Sequence, residues 1–179
     1  MAISQDEYRL EDLARRHEIS TGLFVPFVIR RLRASAEGTE AVFAVSLRNI
    51  GSKEENHRAL RVYWSDSRVP EQPLGVPEHT VTEFAALGVA CMVVSLYAGL
   101  RIQAVTAQGD RFDYWTSDGQ KDYGLEVSGT LAGDVKIRHA TKVRQWGENP
   151  YGVDGHVVTV GFTNRQIIFS CHRFEETRT

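Results

Sequence analysis

The segment HTVTEFAALGVACMVVSLYAGL, His79 to Leu100, limits the fold more than any other stretch of this chain. Phe84, Leu87, Cys91 and Val94 recur at helical intervals, and the residues between them are apolar or small. A helix that is apolar on most of its sides belongs inside a protein. Thr80 followed by Glu83 has the spacing of a capping box and predicts the helix start, and Gly99 predicts its end. Ala85, Ala86, Gly88 and Ala90 carry little side-chain bulk, so the helix can lie close against a sheet.

The next three segments predict that sheet. RIQAVTAQ, DRFDYWTSDG and YGLEVSGT are rich in β-favouring residues and are divided by polar, Gly-containing turns, which predicts a three-strand antiparallel meander. In DVKIRHATKVRQWG, Asp134 is a good N-cap and Gly147 a stop, giving a helix of about a dozen residues. HVVTVGF and QIIFSCHRF, joined at TNR, predict a final pair of strands. The expected class is α/β, with a core over residues 78–174 ordered helix, three strands, helix, two strands.

Upstream, Gln5 to Glu18 reads as a polar surface helix, and FVPFVIRRLRASAEG as a second helix with Pro26 near its start and Gly38 after its end. Arg30, Arg31 and Arg33 fall in the last turns of that helix, where cations suit the dipole. AVFAVSLRN and RALRVYWSD predict a hairpin around the polar loop IGSKEENH. The coil SRVPEQPLGVPEH, with three prolines and a glycine, then separates an N-terminal extension, residues 1–70, from the core, all within one domain of 179 residues.

A net charge of −2 excludes a generally basic nucleic-acid coat, so any phosphate binding must come from a local cluster of Lys and Arg. No run approaches the ~20 apolar residues of a membrane span, and the start lacks a secretory pattern, so a cytoplasmic protein without membrane contact is expected. Cys91 and Cys171 lack the paired spacing of a zinc site and read as packing residues. His139, His156 and His172 likewise show no ligand spacing and read as packing or surface residues.

One acid does not fit its surroundings. Side chains alternate along a strand, so in YGLEVSG the residues Tyr123, Leu125 and Val127 share one face, and Glu126 and Ser128 the other. A carboxylate between Leu125 and Val127 costs several kcal/mol if buried unpaired, so it needs a cation, a hydrogen-bond network or solvent. The same parity in RFDYW puts Phe112 and Tyr114 on one face, and Arg111, Asp113 and Trp115 on the other. Neighbouring strands then bring Asp113 and Glu126 together, where both stay ionised only with a cation between them. Mg²⁺ or Mn²⁺, as hard oxygen-seeking ions, suit such a pair, while Arg111 is an alternative partner for Asp113.

The order of elements and these acids resemble the core of the PD-(D/E)XK, or restriction endonuclease-like, nuclease superfamily over roughly Thr80 to Arg173. The matching positions are Glu83 on the helix, Asp113 on the second strand, Glu126 on the third, and Ser128 where the family carries lysine. The resemblance implies metal-dependent phosphodiester hydrolysis, with DNA as the expected substrate, Asp113 and Glu126 as metal ligands, and Glu83 acting through a water or a second ion. Glu83 is equally accounted for by the capping box.

A neutral hydroxyl at Ser128 cannot supply the positive charge of lysine. The helix after it offers substitutes, since Arg138, Lys142 and Gln145 share one of its faces. Lys142 is the expected replacement cation, with Ser128, Lys136, Arg138 and Gln145 expected near phosphate. From Asp134 to Trp146, four Lys or Arg stand against one Asp, a net +3, which is the local basic cluster that the overall charge demands. A homodimer or a subunit of a larger complex is expected, because so small a core needs help to embrace a duplex. The alternative is a catalytically inactive nuclease fold serving as a binding or assembly subunit of a bacterial defence or secretion complex.

Overall fold

The computed structural model describes residues 4–33, 38–50, 54–65 and 75–174. The apolar helix is present as α2, Glu78–Ala98, and it is followed by β4 (Arg101–Val105), β5 (Tyr114–Ser117), β6 (Asp122–Thr130), α3 (Val135–Gly147), β7 (Gly155–Gly161) and β8 (Gln166–His172). β4, β5 and β6 form the antiparallel meander, α3 crosses over to bring β7 parallel to β6, and β8 returns antiparallel to β7. The chain is therefore α/β, with the expected order helix, three strands, helix, two strands.

β7 is buried along its whole length, which explains its continuous apolar sequence GHVVTVG. On β6, Leu125 and Val127 pack into the large core that includes α2, whereas Glu126 and Ser128 are met by side chains of α3. The two helices therefore cover opposite faces of the sheet. The small residues of α2 act as expected: a Cβ on Gly129 of β6 would come within 2.7 Å of the Ala86 Cβ and 2.9 Å of the Thr82 carbonyl oxygen. α2 is long and apolar enough to cross a membrane by length and composition, contrary to the expectation that no such run exists; its most apolar window is 67% buried inside the protein.

The N-terminal part departs from expectation. Gln5 to Glu18 contains no α-helix; β1 (Gln5–Arg9) leads into a 3₁₀ segment, Leu10–Arg15. β1 pairs in parallel with β3 (Asn56–Tyr63), while Leu10 and Leu13, three apart and so on one side of a 3₁₀ turn, point into the core. The second helix is α1, Val25–Arg33, and the hairpin is β2 (Glu40–Arg48) with β3. β2 pairs in parallel with β8, so these strands continue the sheet in the order β1-β3-β2-β8-β7-β6-β5-β4. The centre of the loop IGSKEENH and most of the proline-rich coil lie outside the described residues.

The start of α2 also differs. Its N-cap is Pro77, with no side-chain cap, so Thr80 and Glu83 form no capping box. The helix begins earlier because Glu78 is held from another element: Arg30 and Arg31 of α1 both pair with its carboxylate, and Arg31 also donates to its carbonyl oxygen. Two of the three arginines at the end of α1 thus serve helix-to-helix contact.

Candidate functional site

Asp113 is placed by an irregular turn. Arg111 adopts the left-handed region at φ 65°, and the ladder resumes immediately after this bend. The Asp113 N–H donates to the Leu125 carbonyl at 2.9 Å, and its carbonyl accepts from the Thr106 N–H at 3.1 Å. Its Oδ2 accepts from the Val127 N–H at 2.8 Å. Tyr114 pairs with Leu125 in the antiparallel register, so the position opposite Asp113 is Glu126.

The bend corrects one expected parity. Phe112 does not share a face with Tyr114: its ring meets Trp115 edge-on at 4.9 Å and joins Trp146 and Val157 in a second small core, while Tyr114 packs on the main one. Arg111 does not pair with Asp113 either; it reaches towards Glu148 at 4.0 Å, with both side chains exposed.

Glu126 is fully buried. Its Oε1 accepts from the ammonium of Lys142, whereas its Oε2 is buried with no hydrogen-bond partner. Burial raises its pKa to about 7, the Asp113 charge adds to that rise, and Lys142 opposes it. Asp113 is raised too, first by burial and also by Glu83, against the Val127 N–H and Lys142. Lys142 donates in addition to Gln145 Oε1 at 3.1 Å.

Asp113 and Lys142 border a cleft of about 680 Å³ between α2, β6 and α3, lined also by Glu83, Ser128 and Arg138, while Glu126 lies buried behind them. Within it, Arg138 Nη1 donates to Ser128 Oγ at 2.9 Å. A second hollow of about 500 Å³ lies under the turn 105–112 and reaches Gln145, and it shares Asp113 and Tyr114 with the first. The fold thus gathers Glu83, Asp113, Glu126, Ser128, Arg138, Lys142 and Gln145. Lys136 is exposed on the first turn of α3 and borders neither hollow. His79, which carries no signal in the sequence, lines the cleft because α2 begins before Thr80.

Of the packing and surface roles expected for His139, the structure gives burial, with a polar role. Its Nδ1 lies 3.0 Å from Thr159 Oγ1 and its Nε2 2.8 Å from Ser170 Oγ, tying α3 to β7 and β8. Burial, with smaller contributions from the charges of Arg48 and His172, depresses its pKa to about 4, so it is neutral at pH 7.

Among the described residues no group of three or more His, Cys, Asp or Glu is assembled as a metal cage. Two carboxylates are a sufficient protein contribution for Mg²⁺, which keeps waters and takes further oxygens from a phosphate. The buried, unpartnered Oε2 of Glu126 beside the cleft-lining Asp113 fits such an ion. Comparison with protein-family models, with curated proteins and with solved structures finds no match to this chain.

Proposed function

We propose that this chain is a metal-dependent nuclease with a restriction endonuclease-like core, hydrolysing phosphodiester bonds in DNA. The observation that carries this reading is Glu126: fully buried, with one oxygen on Lys142 and the other on nothing, and opposite Asp113 in the register, which with Lys142 lines a large cleft. A protein has little structural reason to bury a half-satisfied carboxylate beside a second acid, because each such group destabilises the fold. The order of α2, the meander β4 to β6, α3, β7 and β8 supports the nuclease-like core.

Asp113 and Glu126 would hold Mg²⁺ or Mn²⁺. When bound, the ion supplies Lewis-acid polarisation of the phosphate and lowers the pKa of a water. The Val127 N–H orients the Asp113 carboxylate, and Lys142 favours the ionised form of Glu126. Glu83, exposed on α2 and lining the cleft, would contribute through a water or to a second ion. Hydrolysis adds water across one P–O bond, leaving a phosphomonoester and a hydroxyl. Action as a homodimer or within a larger cytoplasmic assembly belongs to the same proposal.

The second reading, an inactive nuclease fold that binds rather than cuts, is favoured by one observation: the Lys142 ammonium already engages Glu126, and Ser128 is neutral. Single- and double-stranded DNA and RNA, incubated with Mg²⁺ or Mn²⁺ and with the wild-type, Asp113→Asn or Glu126→Gln protein, separate the two. Ion-dependent cleavage by the wild type, reduced ~100-fold or more in both variants, is the expected result. Equal cleavage by all three proteins sinks the nuclease reading. Nucleic-acid binding without cleavage puts the binding subunit in its place.

A further inference from the structure

The cleft is bordered by two Lys or Arg side chains, Arg138 and Lys142, one turn apart on α3. They are not equivalent. Lys142 is engaged within the protein: its ammonium pairs with the buried Glu126 and donates to Gln145. Arg138 pairs with no carboxylate among the described residues. One N–H goes to the neutral Ser128 hydroxyl at 2.9 Å. A guanidinium has five N–H donors in a rigid fork, so most of its donors and its whole charge remain available to the cleft.

Ser128 itself is buried, with only 7% of its surface exposed, and lies on β6 two residues beyond Glu126 on the same face. Its Oγ accepts from Arg138. A long, mobile side chain on the exposed face of a helix is thereby anchored beside the buried acid, at an entropic cost the hydrogen bond offsets. An anchored, uncompensated guanidinium is a fork suited to a phosphate oxygen pair.

We propose that Arg138 is the residue that contacts the substrate phosphate in this cleft and that Ser128 is its positioning residue, while Lys142 serves Glu126 and not the phosphate. This assignment rests on the nuclease reading for its substrate class, and it replaces the sequence expectation that Lys142 is the substitute cation.

The test measures binding of a fluorescent single-stranded oligonucleotide in EDTA, across a salt series, so that no cleavage enters. Arg138→Gln is expected to weaken binding about tenfold and to reduce the slope of log K against log salt by about 0.7, the value for one phosphate contact on a single strand. Lys142→Met is expected to leave that slope unchanged, because its ammonium is held by Glu126 and Gln145 within the protein and is not offered to the phosphate. Ser128→Ala alters no charge, so weaker binding there reads the position of the guanidinium, and Ser128→Thr, which keeps the hydroxyl, is expected to bind as the wild type does. The double variant Ser128→Lys, Arg138→Gln is expected to recover the lost slope. Wild-type binding and slope in Arg138→Gln, the slope change appearing in Lys142→Met instead, or no binding by the wild type would each overturn the assignment. Cleavage in Mg²⁺ is read separately: these binding shifts without any cleavage sink the nuclease reading and leave the phosphate contact standing.

Discussion

Glu126 carries its charge against its surroundings, and the consequence depends on pH. Burial, then Asp113, lift its pKa from an ordinary 4.5 to about 7 in the folded state. Between those values the folded protein binds a proton that the unfolded chain has released, so this group stabilises the fold below pH 4.5 and the contribution is lost as pH rises towards 7. At about 1.4 kcal/mol per pKa unit the loss is about 3 kcal/mol. Glu126→Gln has no such proton to lose, so in EDTA its unfolding free energy is expected to improve against the wild type by about that amount between pH 4.5 and 8. Urea unfolding at the two pH values checks this, and a difference independent of pH would mean that Glu126 is ionised without strain. Saturating Mg²⁺ at pH 8 is expected to raise the stability of the wild type and not of Glu126→Gln, since a ligand that binds only the folded state stabilises it by mass action. The sequence marked Glu126 because an acid between Leu125 and Val127 breaks an apolar strand. It could not reveal that Lys142 reaches only one of the two oxygens, because that depends on how α3 lies over β6.

At the scale of elements, the close approach of α2 to β6 depends on Gly129. An added Cβ would meet the Thr82 carbonyl at 2.9 Å and the Ala86 Cβ at 2.7 Å, and helix backbone cannot give way as a flexible side chain does. Gly129→Ala is expected to destabilise the protein by ~1–3 kcal/mol, read from the urea midpoint at constant slope. Because Thr82 and Glu83 border the cleft, the same variant is expected to perturb oligonucleotide binding, whereas an unchanged midpoint would show that α2 shifts freely. The small residues that permit this packing were legible, as were α2, α3 and the β strands of the core, because their hydrophobic period is set locally. Three features were not. Gln5 to Glu18 has helix-forming composition, yet its first five residues are claimed by parallel pairing with β3, some 50 residues away. The start of α2 is fixed by arginines of α1 that hold Glu78. The Phe112 side chain turns to the Trp115 face because Arg111 takes a left-handed conformation that nothing in RFDYW announces.

The molecule as a whole joins the proline-rich boundary's two sides more tightly than the sequence suggests. β2 pairs with β8 over five residues, from Ala44 with Gln166 to Arg48 with Ser170, which leaves the sheet unbroken between the N-terminal strands and those of residues 78–174. On the same side, α1 packs on α2: Phe27 meets Phe84 edge-on at 5.1 Å, and Gly88 accommodates Val28, whose Cγ2 would lie 2.5 Å from an added Cβ. Phe24, Phe27, Val28, Phe43, Val45 and Leu47 are all buried in the one large core that also takes in α2, β7 and β8. At ~1.5–3 kcal/mol for each large apolar side chain, these six contribute an amount comparable with the whole stability of an ordinary domain, ~5–15 kcal/mol. A fragment comprising residues 78–174 keeps every residue proposed for chemistry yet exposes the α2 flank and the unpaired edge of β8. It is therefore expected to lack a cooperative thermal transition and a near-ultraviolet dichroism signal, and to bind a hydrophobic dye, while the full chain unfolds in one step. A fragment that unfolds cooperatively and binds the oligonucleotide as the full chain does would show that the N-terminal strands are an appendage, and that the site is held by α2, the meander and α3 alone.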